Sequence, residues 1–531
     1  MHYLNITSNY KWHFAWLVLA LAYVAGLFTP LMEVDESEYA CISREMLSTG
    51  HYLIVKKHSV DYLDKPPLLF WLSTLSFALF GISEFAFKLP SVVFSFLGFY
   101  STYRLGTLLF DKNVGRYSAI ILAASLAMLM MNQDVRTDAL LCSFIIFTCW
   151  QLLEYFEKGK LQNALLCFVG MGCAMMAKGP IGLMIPSIVG TATVISRKSL
   201  GNLLSFKTLA SAIILPIMLA PMCYGLYEQY GLHGLRFYFW EQSFGRITGE
   251  NSWHNDADGF FFIHTFLWAF LPFTILFVVS IIRLSTKPKL TTPNEWVILT
   301  GFLIPFAILS MSHYKLPHYI NVVLPFAALL TAVGISKTFF EAKFYQIFQF
   351  ILMGLILLLA FILNSYFFND YKNEAWVAAM ALLIIAFGFA KNMNSAEKLL
   401  LPSVIVIGIS FLMMNINFYP SLAKYDGGTQ VGLAARNNPY SVFTLNTTPY
   451  NTEFYAEKDI LNITPEEIIH KTKPLQITTN EAGFNTLQEK GLSPTSINKF
   501  QHFPATMLNW KFLNPQTRQN AIETRYLLQY N

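Results

Sequence analysis

Between positions 14 and 418 the sequence is a succession of apolar runs, each about as long as a bilayer core is thick and set off by short polar or Pro/Gly punctuation. A segment in hydrocarbon must satisfy its own backbone hydrogen bonds, so such runs fold as helices. Composition agrees. Of 531 residues, 54% are hydrophobic and 13% charged, against roughly 45–50% and 25% in a typical soluble domain. This is the make-up of a polytopic membrane protein. The formal net charge of +5 is modest, and basic residues in such a chain report orientation, so no nucleic-acid partner is expected.

Candidate spans lie at 14–31, 89–110, 117–132, 139–156, 162–177, 180–196, 207–227, 260–282, 296–311, 318–336, 346–367, 374–390 and 399–418, about thirteen in all. The first run, Trp12 to Leu31, lacks a small-residue cleavage site and reads as a retained span rather than a signal peptide. A further run, Pro67 to Ile82, is short and opens on Pro66-Pro67, which suits an interfacial or re-entrant helix. Charge parity decides the matter. With the N-terminus inside, every inside loop carries Lys or Arg, from Lys112 and Arg116 through Lys158, Arg197, Arg283 and Lys337 to Lys391 and Lys398. If Pro67–Ile82 also crossed, all of these would lie outside, against the positive-inside rule.

The same parity gathers the polar, chemically varied loops on the outer face, together with the tail. Residues 1–418 then form the membrane domain and 419–531 a small outer domain. In the tail, Ser441–Leu445 and Tyr526–Gln529 read as strands, and Thr464-Pro465-Glu466-Glu467 as a capped helix start, which makes it α/β. It holds no catalytic constellation. A transporter would carry polar groups at midplane on broken helices, with internal repeats; neither is evident. Five cysteines sit in apolar runs. Cys41 alone lies in a polar segment and is expected to be exposed, so no disulfide framework is supported.

The outer loops hold the candidate chemistry. Glu33, Asp35, Glu36 and Glu38 place four carboxylates within six positions directly after a span, either as a solvated acidic helix start or as a base or phosphate-organising group. Asp64-Lys65 precedes Pro66-Pro67, as interfacial anchors or as a phosphate-binding lysine beside a metal-binding acid. Asp138 enters an apolar helix, where a carboxylate is costly and is usually paired or functional; Arg136 and Arg246 are candidate partners. Lys178, Arg246 and Lys315 add cations beside these acids, as a phosphodiester substrate would require. His254, near Asp256 and Asp258, is either an exposed loop residue or a metal ligand.

In order, Asp35-Glu36-x-x-Tyr39-Ala40, Tyr62-x-Asp64-Lys65-Pro66-Pro67, Arg136-x-Asp138, Lys178-Gly179-Pro180, Phe239-Trp240 to Arg246 to His254, and Lys315-Leu316-Pro317-His318-Tyr319 resemble the motifs of the ArnT-type glycosyltransferases, relatives of the protein O-mannosyltransferases. The motifs cover about residues 10–330; beyond them only the layout agrees. The resemblance implies a membrane all-α GT-C fold of about thirteen transmembrane helices with periplasmic juxtamembrane helices and a small C-terminal α/β periplasmic domain.

It also implies an inner-membrane, monomeric inverting enzyme, N-terminus cytoplasmic. Such an enzyme moves a sugar, for example 4-amino-4-deoxy-L-arabinose, from a polyprenyl (undecaprenyl) phosphate to lipid A or another periplasmic acceptor. Asp35 would be the principal acid and Asp138 the second. Lys65, Arg246, Lys315 and Lys178 would hold donor phosphate, with Glu36, Tyr39, Tyr62 and Tyr319 lining the pocket. Asp64, where the family often has Glu, and His254 would hold a divalent, zinc-like metal. No nucleotide cofactor is expected, since no glycine-rich phosphate loop is present. Protein O-glycosylation is the alternative acceptor chemistry, and lipid or sugar transport the alternative class.

Overall fold

The computed structural model describes residues 2–197, 201, 205–242, 245, 255, 257–286, 292–368, 376, 379–384 and 393–531. The first nine helices are α1 (His2–Gly26), α2 (Asp35–Thr49), α3 (Leu68–Phe80), α4 (Glu84–Leu109), α5 (Lys112–Ala123), α6 (Leu126–Met131), α7 (Thr137–Lys158), α8 (Leu161–Lys178) and α9 (Ile181–Arg197). Their ends follow local chemistry. Ser83 caps α4 by accepting from the Ala86 N–H, and Asp111 caps α5 through Asn113 and Val114. Helices α2 and α7 stop on Gly50 and Gly159, at φ of 71° and 60°, where a side chain would be strained.

Seven described helices are long and apolar enough to cross a membrane, and eight if Phe261–Ala269 and Thr274–Thr286, bent by 119°, form one broken span. The chain is therefore multi-pass. Part of the run 374–390 lies outside the described residues. Helix α3 is 13 residues long, which at about 1.5 Å per residue falls short of a bilayer core of about 30 Å. The bundle is organised around α7, whose apolar window is 94% buried against 17% for Lys343–Phe367. Helices α4 and α5 approach through glycines: a Cβ on Gly106 would stand 2.8 Å from the Gly115 Cα, a small-on-small contact that suits packing in lipid. Helix α1 lies along Ser395–Met413, where buried Lys11 meets Glu397 at 3.3 Å.

The segment after α2 is pinned from three sides. Strands β1 (Lys56–Lys57) and β2 (Val60–Asp61) form a hairpin whose turn residues His58 and Ser59 have φ of 54° and 61°. A two-residue turn of that hand normally uses glycine or asparagine. Here Glu45 of α2 accepts both turn N–H groups, from His58 at 2.7 Å and Ser59 at 2.8 Å. On another side Gly225 lies so close to the Leu53 carbonyl that a Cβ would stand 1.9 Å from its oxygen. The third contact is Glu453, from the C-terminal region, which meets Lys57 and His58 at 2.5 Å each and Arg44 at 3.3 Å.

The C-terminal region carries a five-stranded sheet in the order β4-β3-β5-β7-β6, with β3 (Ser441–Leu445), β4 (Leu461–Asn462), β5 (Leu475–Asn480), β6 (Ser496–His502) and β7 (Glu523–Tyr530). Strand β3 runs parallel to β4 and β5, and β7 antiparallel to β5 and β6. Side-chain alternation sends Leu528 into a core with Leu475, Ile477 and Leu487, and Leu527 to the opposite face with Val431, Val442 and Ile460. Both strands read from sequence are present, and Thr464 forms a capping box with Glu467. The helical path runs on from Ser395 through Ala423, and the first helix packed on the sheet is Gly427–Arg436.

Cys41 corrects one expectation. It is fully buried, its Sγ 3.3 Å from the Tyr450 carbonyl, because the helix Tyr450–Ala456 covers α2. The sequence around it is polar since α2 meets a second polar element, not water.

Candidate active site

Where the N-terminus of α2, the segment Asp64–Pro66, the start of α7 and the α8–α9 junction converge, they enclose a cavity of about 430 Å³. Its polar lining includes Asp35, Tyr39, Asp64, Lys65, Arg136, Asp138, Lys178, Gln242 and His318; its apolar lining includes Leu141, Ile181, Met184, Ile308, Leu309 and Val322. The cavity therefore suits an amphipathic ligand with a polar, charged head.

Each acid on this wall has a cation. Arg136 pairs with Asp35 and, at 3.2 Å, with Asp134. Lys178 donates to both oxygens of Asp138, at 2.6 and 2.7 Å, while its ammonium lies 4.4 Å from the Tyr319 ring. Lys65 pairs with Asp64. The partner expected for Asp138 is thus corrected. Arg136 turns to Asp35 because its loop faces α2, and Lys178, arriving on the end of α8, takes the buried carboxylate. The two acids also differ in access: the Asp35 side chain is 40% exposed and that of Asp138 only 2%. Asp35 is open to an incoming molecule, whereas Asp138 holds its cation behind the surface.

Of the residues expected at the site, Asp35, Tyr39, Asp64, Lys65, Asp138, Lys178 and Tyr319 line this cavity. Three others do not. Glu36 is fully buried on the far side of α2, accepting from the N–H groups of Met32 at 2.8 Å and Val135 at 2.9 Å and meeting Lys88 at 3.3 Å. Burial pushes its carboxyl up to about 7, against the pull of Lys88. It clasps the α1–α2 turn to the segment before α7 and so holds Asp35 opposite Arg136. It is neither solvated nor a pocket lining. Tyr62 packs edge-on to Phe70 at 6.1 Å, with its hydroxyl 3.4 Å from Glu38. Lys315 turns its ammonium to the carbonyls of Ala257 at 3.2 Å and Asp258 at 2.9 Å, and so fastens one loop to another. Arg246 and His254 lie outside the described residues.

Sequence reasoning assigned no role to His318, Gln242 or Thr137, all in the cavity wall. The Gln242 amide donates to the Asp64 carbonyl. His318 lies within the stretch Lys315–Tyr319, and only the packing of that stretch brings it beside Asp138. Burial also keeps Tyr39 well above its ordinary value, so its hydroxyl stays neutral. As to a metal, Asp64 Oδ1 is buried without a hydrogen-bond partner, which fits one ligand. No group of three His, Cys, Asp or Glu that could hold an ion occurs among the described residues.

The same fold, with 17% sequence identity, is found in the crystal structure of ArnT from Cupriavidus metallidurans bound to undecaprenyl phosphate, matched with a TM-score of 0.73 over 97% of each chain. Its apo form matches with the same score over 98% of each chain. The chain resembles the ArnT-type GT-C glycosyltransferases throughout its fold. Residues 64–224 match the family model described as dolichyl-phosphate-mannose-protein mannosyltransferase. Among curated relatives, the chain is 24% identical to the undecaprenyl phosphate-alpha-4-amino-4-deoxy-L-arabinose arabinosyl transferase 2 of Proteus mirabilis, over 70% of this chain and 69% of that one. It is 26% identical to the corresponding arabinosyl transferase of Pseudomonas savastanoi pv. phaseolicola, over 58% of each chain, less than two thirds of that relative's length. In this chain the ion-paired cavity lies where α2, α7 and α8 meet.

Proposed function

We propose that the chain is an inverting, polyprenyl-phosphate-sugar-dependent glycosyltransferase of the bacterial inner membrane. It would move a sugar, an aminosugar such as 4-amino-4-deoxy-L-arabinose, from undecaprenyl phosphate to a lipid A phosphate at the periplasmic face. The supporting observation is one cavity lined both by ion-paired acids and cations and by apolar side chains. Thirteen spans, a cytoplasmic N-terminus, a periplasmic domain from 419 onward and a monomeric state complete the proposal.

In the proposed reaction the acceptor oxygen attacks the anomeric carbon from the side opposite the phosphate. The bond from that carbon to the phosphate oxygen breaks, and its electron pair leaves with the polyprenyl phosphate. Lys65 and Lys178, already on the wall, meet the charge collecting there. Asp35 orients the acceptor and takes the proton of a hydroxyl; an ionised lipid A phosphate brings none. Asp64, and His254 from outside the described residues, would hold a divalent cation, which would add positive charge near the phosphate.

The test is mass spectrometry of lipid A from cells with the wild type, without the protein, and with Asp35→Asn. A sugar-sized mass on the phosphate that needs both the protein and Asp35 is expected, with transfer by Asp35→Asn lowered on the order of 100-fold or more. The match to a protein mannosyltransferase model over residues 64–224 favours protein O-glycosylation as the second reading. Unchanged lipid A together with loss of a sugar adduct from periplasmic proteins would select it. Metal content of the purified wild type should exceed that of Asp64→Ala and His254→Ala; equal, negligible occupancy removes the metal.

A further inference from the structure

The charge balance of the cavity wall singles out His318. Among the described lining residues, the carboxylates Asp35, Asp64 and Asp138 face the fixed cations Arg136, Lys65 and Lys178 one to one. These three pairs by themselves leave no net charge to offer a phosphate. Histidine is the side chain that changes charge between about pH 5 and 8, and His318 is the histidine among the described lining residues. Its Nε2 stands 3.9 Å from Asp138 Oδ2, and its ring meets Tyr319 edge-on at 5.0 Å. It rides on the turn Pro317–Val323, which packs against α7.

A lysine and a histidine therefore share one buried carboxylate. If Lys178 turns toward a phosphate, Asp138 would be stranded with its side chain 2% exposed, at a cost of several kcal/mol. A protonated His318 removes that cost: one of the two cations stays with Asp138 while the other meets the anion. The described groups facing the imidazole include Asp138 from α7, Lys178 from α8 and Tyr319 from its own turn, with Asp35, Tyr39, Asp64, Lys65, Arg136 and Tyr314 on the rest of the wall. Asp138 favours the imidazolium and Lys178 opposes it.

We propose that His318, as an imidazolium, is a further catalytic residue that adds a positive charge beyond the three ion pairs of the described wall and contacts the donor phosphate as the sugar leaves. The bond changes are those given above, and the imidazolium keeps its proton throughout. The proposal rests on the polyprenyl-phosphate reading.

The test is binding of undecaprenyl phosphate to the purified full-length protein in detergent, with turnover of its sugar ester, from about pH 5.5 to about 8.5. Wild type, His318→Gln and His318→Lys are compared. Wild-type binding should weaken about 10-fold as pH rises and the imidazole loses its charge. His318→Gln should bind weakly with that pH dependence gone and turn over on the order of 100-fold more slowly. His318→Lys should bind tightly across the range. Glu33 and Glu36, both raised to about 7, titrate in all three proteins, so the difference between wild type and His318→Lys isolates the imidazole. Equal affinity and slope in wild type and His318→Gln would overturn the proposal alone. So would equal loss of binding in both variants, since the ring would then serve shape and not charge. A wild type that binds no polyprenyl phosphate at any pH overturns the proposed function and this inference with it.

Discussion

Lys178 and Asp138 show how one pair can be both structural and functional. The carboxylate is nearly sealed from solvent and accepts two short hydrogen bonds from a single ammonium. Removing the cation leaves a buried charge without its strongest partner, and breaking such pairs typically costs about 3 to 5 kcal/mol. Lys178→Ala is therefore expected to lower the melting temperature in detergent substantially. Lys178→Ala combined with Asp138→Asn should recover much of that loss while remaining inactive. A double variant no more stable than Lys178→Ala would mean that the buried charge is not what destabilises. Asp35 behaves differently: with its side chain 40% exposed, Asp35→Asn should cost activity and little stability.

At the scale of elements, α2 is the part on which the site depends. Its N-terminus carries Asp35, its buried face carries Glu36 against the segment before α7, and Glu45 holds the hairpin turn. The C-terminal region locks it from outside through Glu453. Burial alone would raise that carboxyl, but His58, Lys57 and Arg44 outweigh it and hold Glu453 below its ordinary range. A depressed carboxylate stabilises the fold at neutral pH and loses that contribution as pH falls through its folded value. Glu453→Ala should cost about 3 to 5 kcal/mol at neutral pH, read by thermal melting. It should also open the segment 50–66 to limited protease digestion. Cleavage unchanged from wild type would show that the hairpin is held without the C-terminal region.

At the scale of the whole molecule, the proposed orientation puts the cavity and the sheet on one side of the membrane and the basic connections on the other. The native cysteines are buried or half-buried, so introduced ones can be read against a low background. Lys499→Cys on exposed β6 should react with a membrane-impermeant thiol reagent added to cells with a permeabilised outer membrane, and Lys112→Cys at the exposed start of α5 only after lysis. The reverse pattern would invert the topology and move the proposed chemistry to the cytoplasm.

The sequence by itself determined that the chain is helical and multi-pass, since apolar runs in lipid have no other way to satisfy their backbones. It also determined which loops carry acids and cations, and that the tail is α/β, because strand alternation and the Thr464 cap are local signals. Seven of the expected site residues meet in one cavity because their motifs sit at helix ends, which a bundle gathers on one face. Pairing was another matter. Whether Asp138 would take Arg136 or Lys178, whether Glu36 would face the cavity or the core, and whether Cys41 would be exposed depend on which elements lie side by side. Those contacts join residues far apart in the chain, as Asp138 to Lys178 or Arg44 to Glu453. Charge type is written in a residue; its counter-ion and its burial are properties of the packed neighbours, and only the tertiary structure decided them.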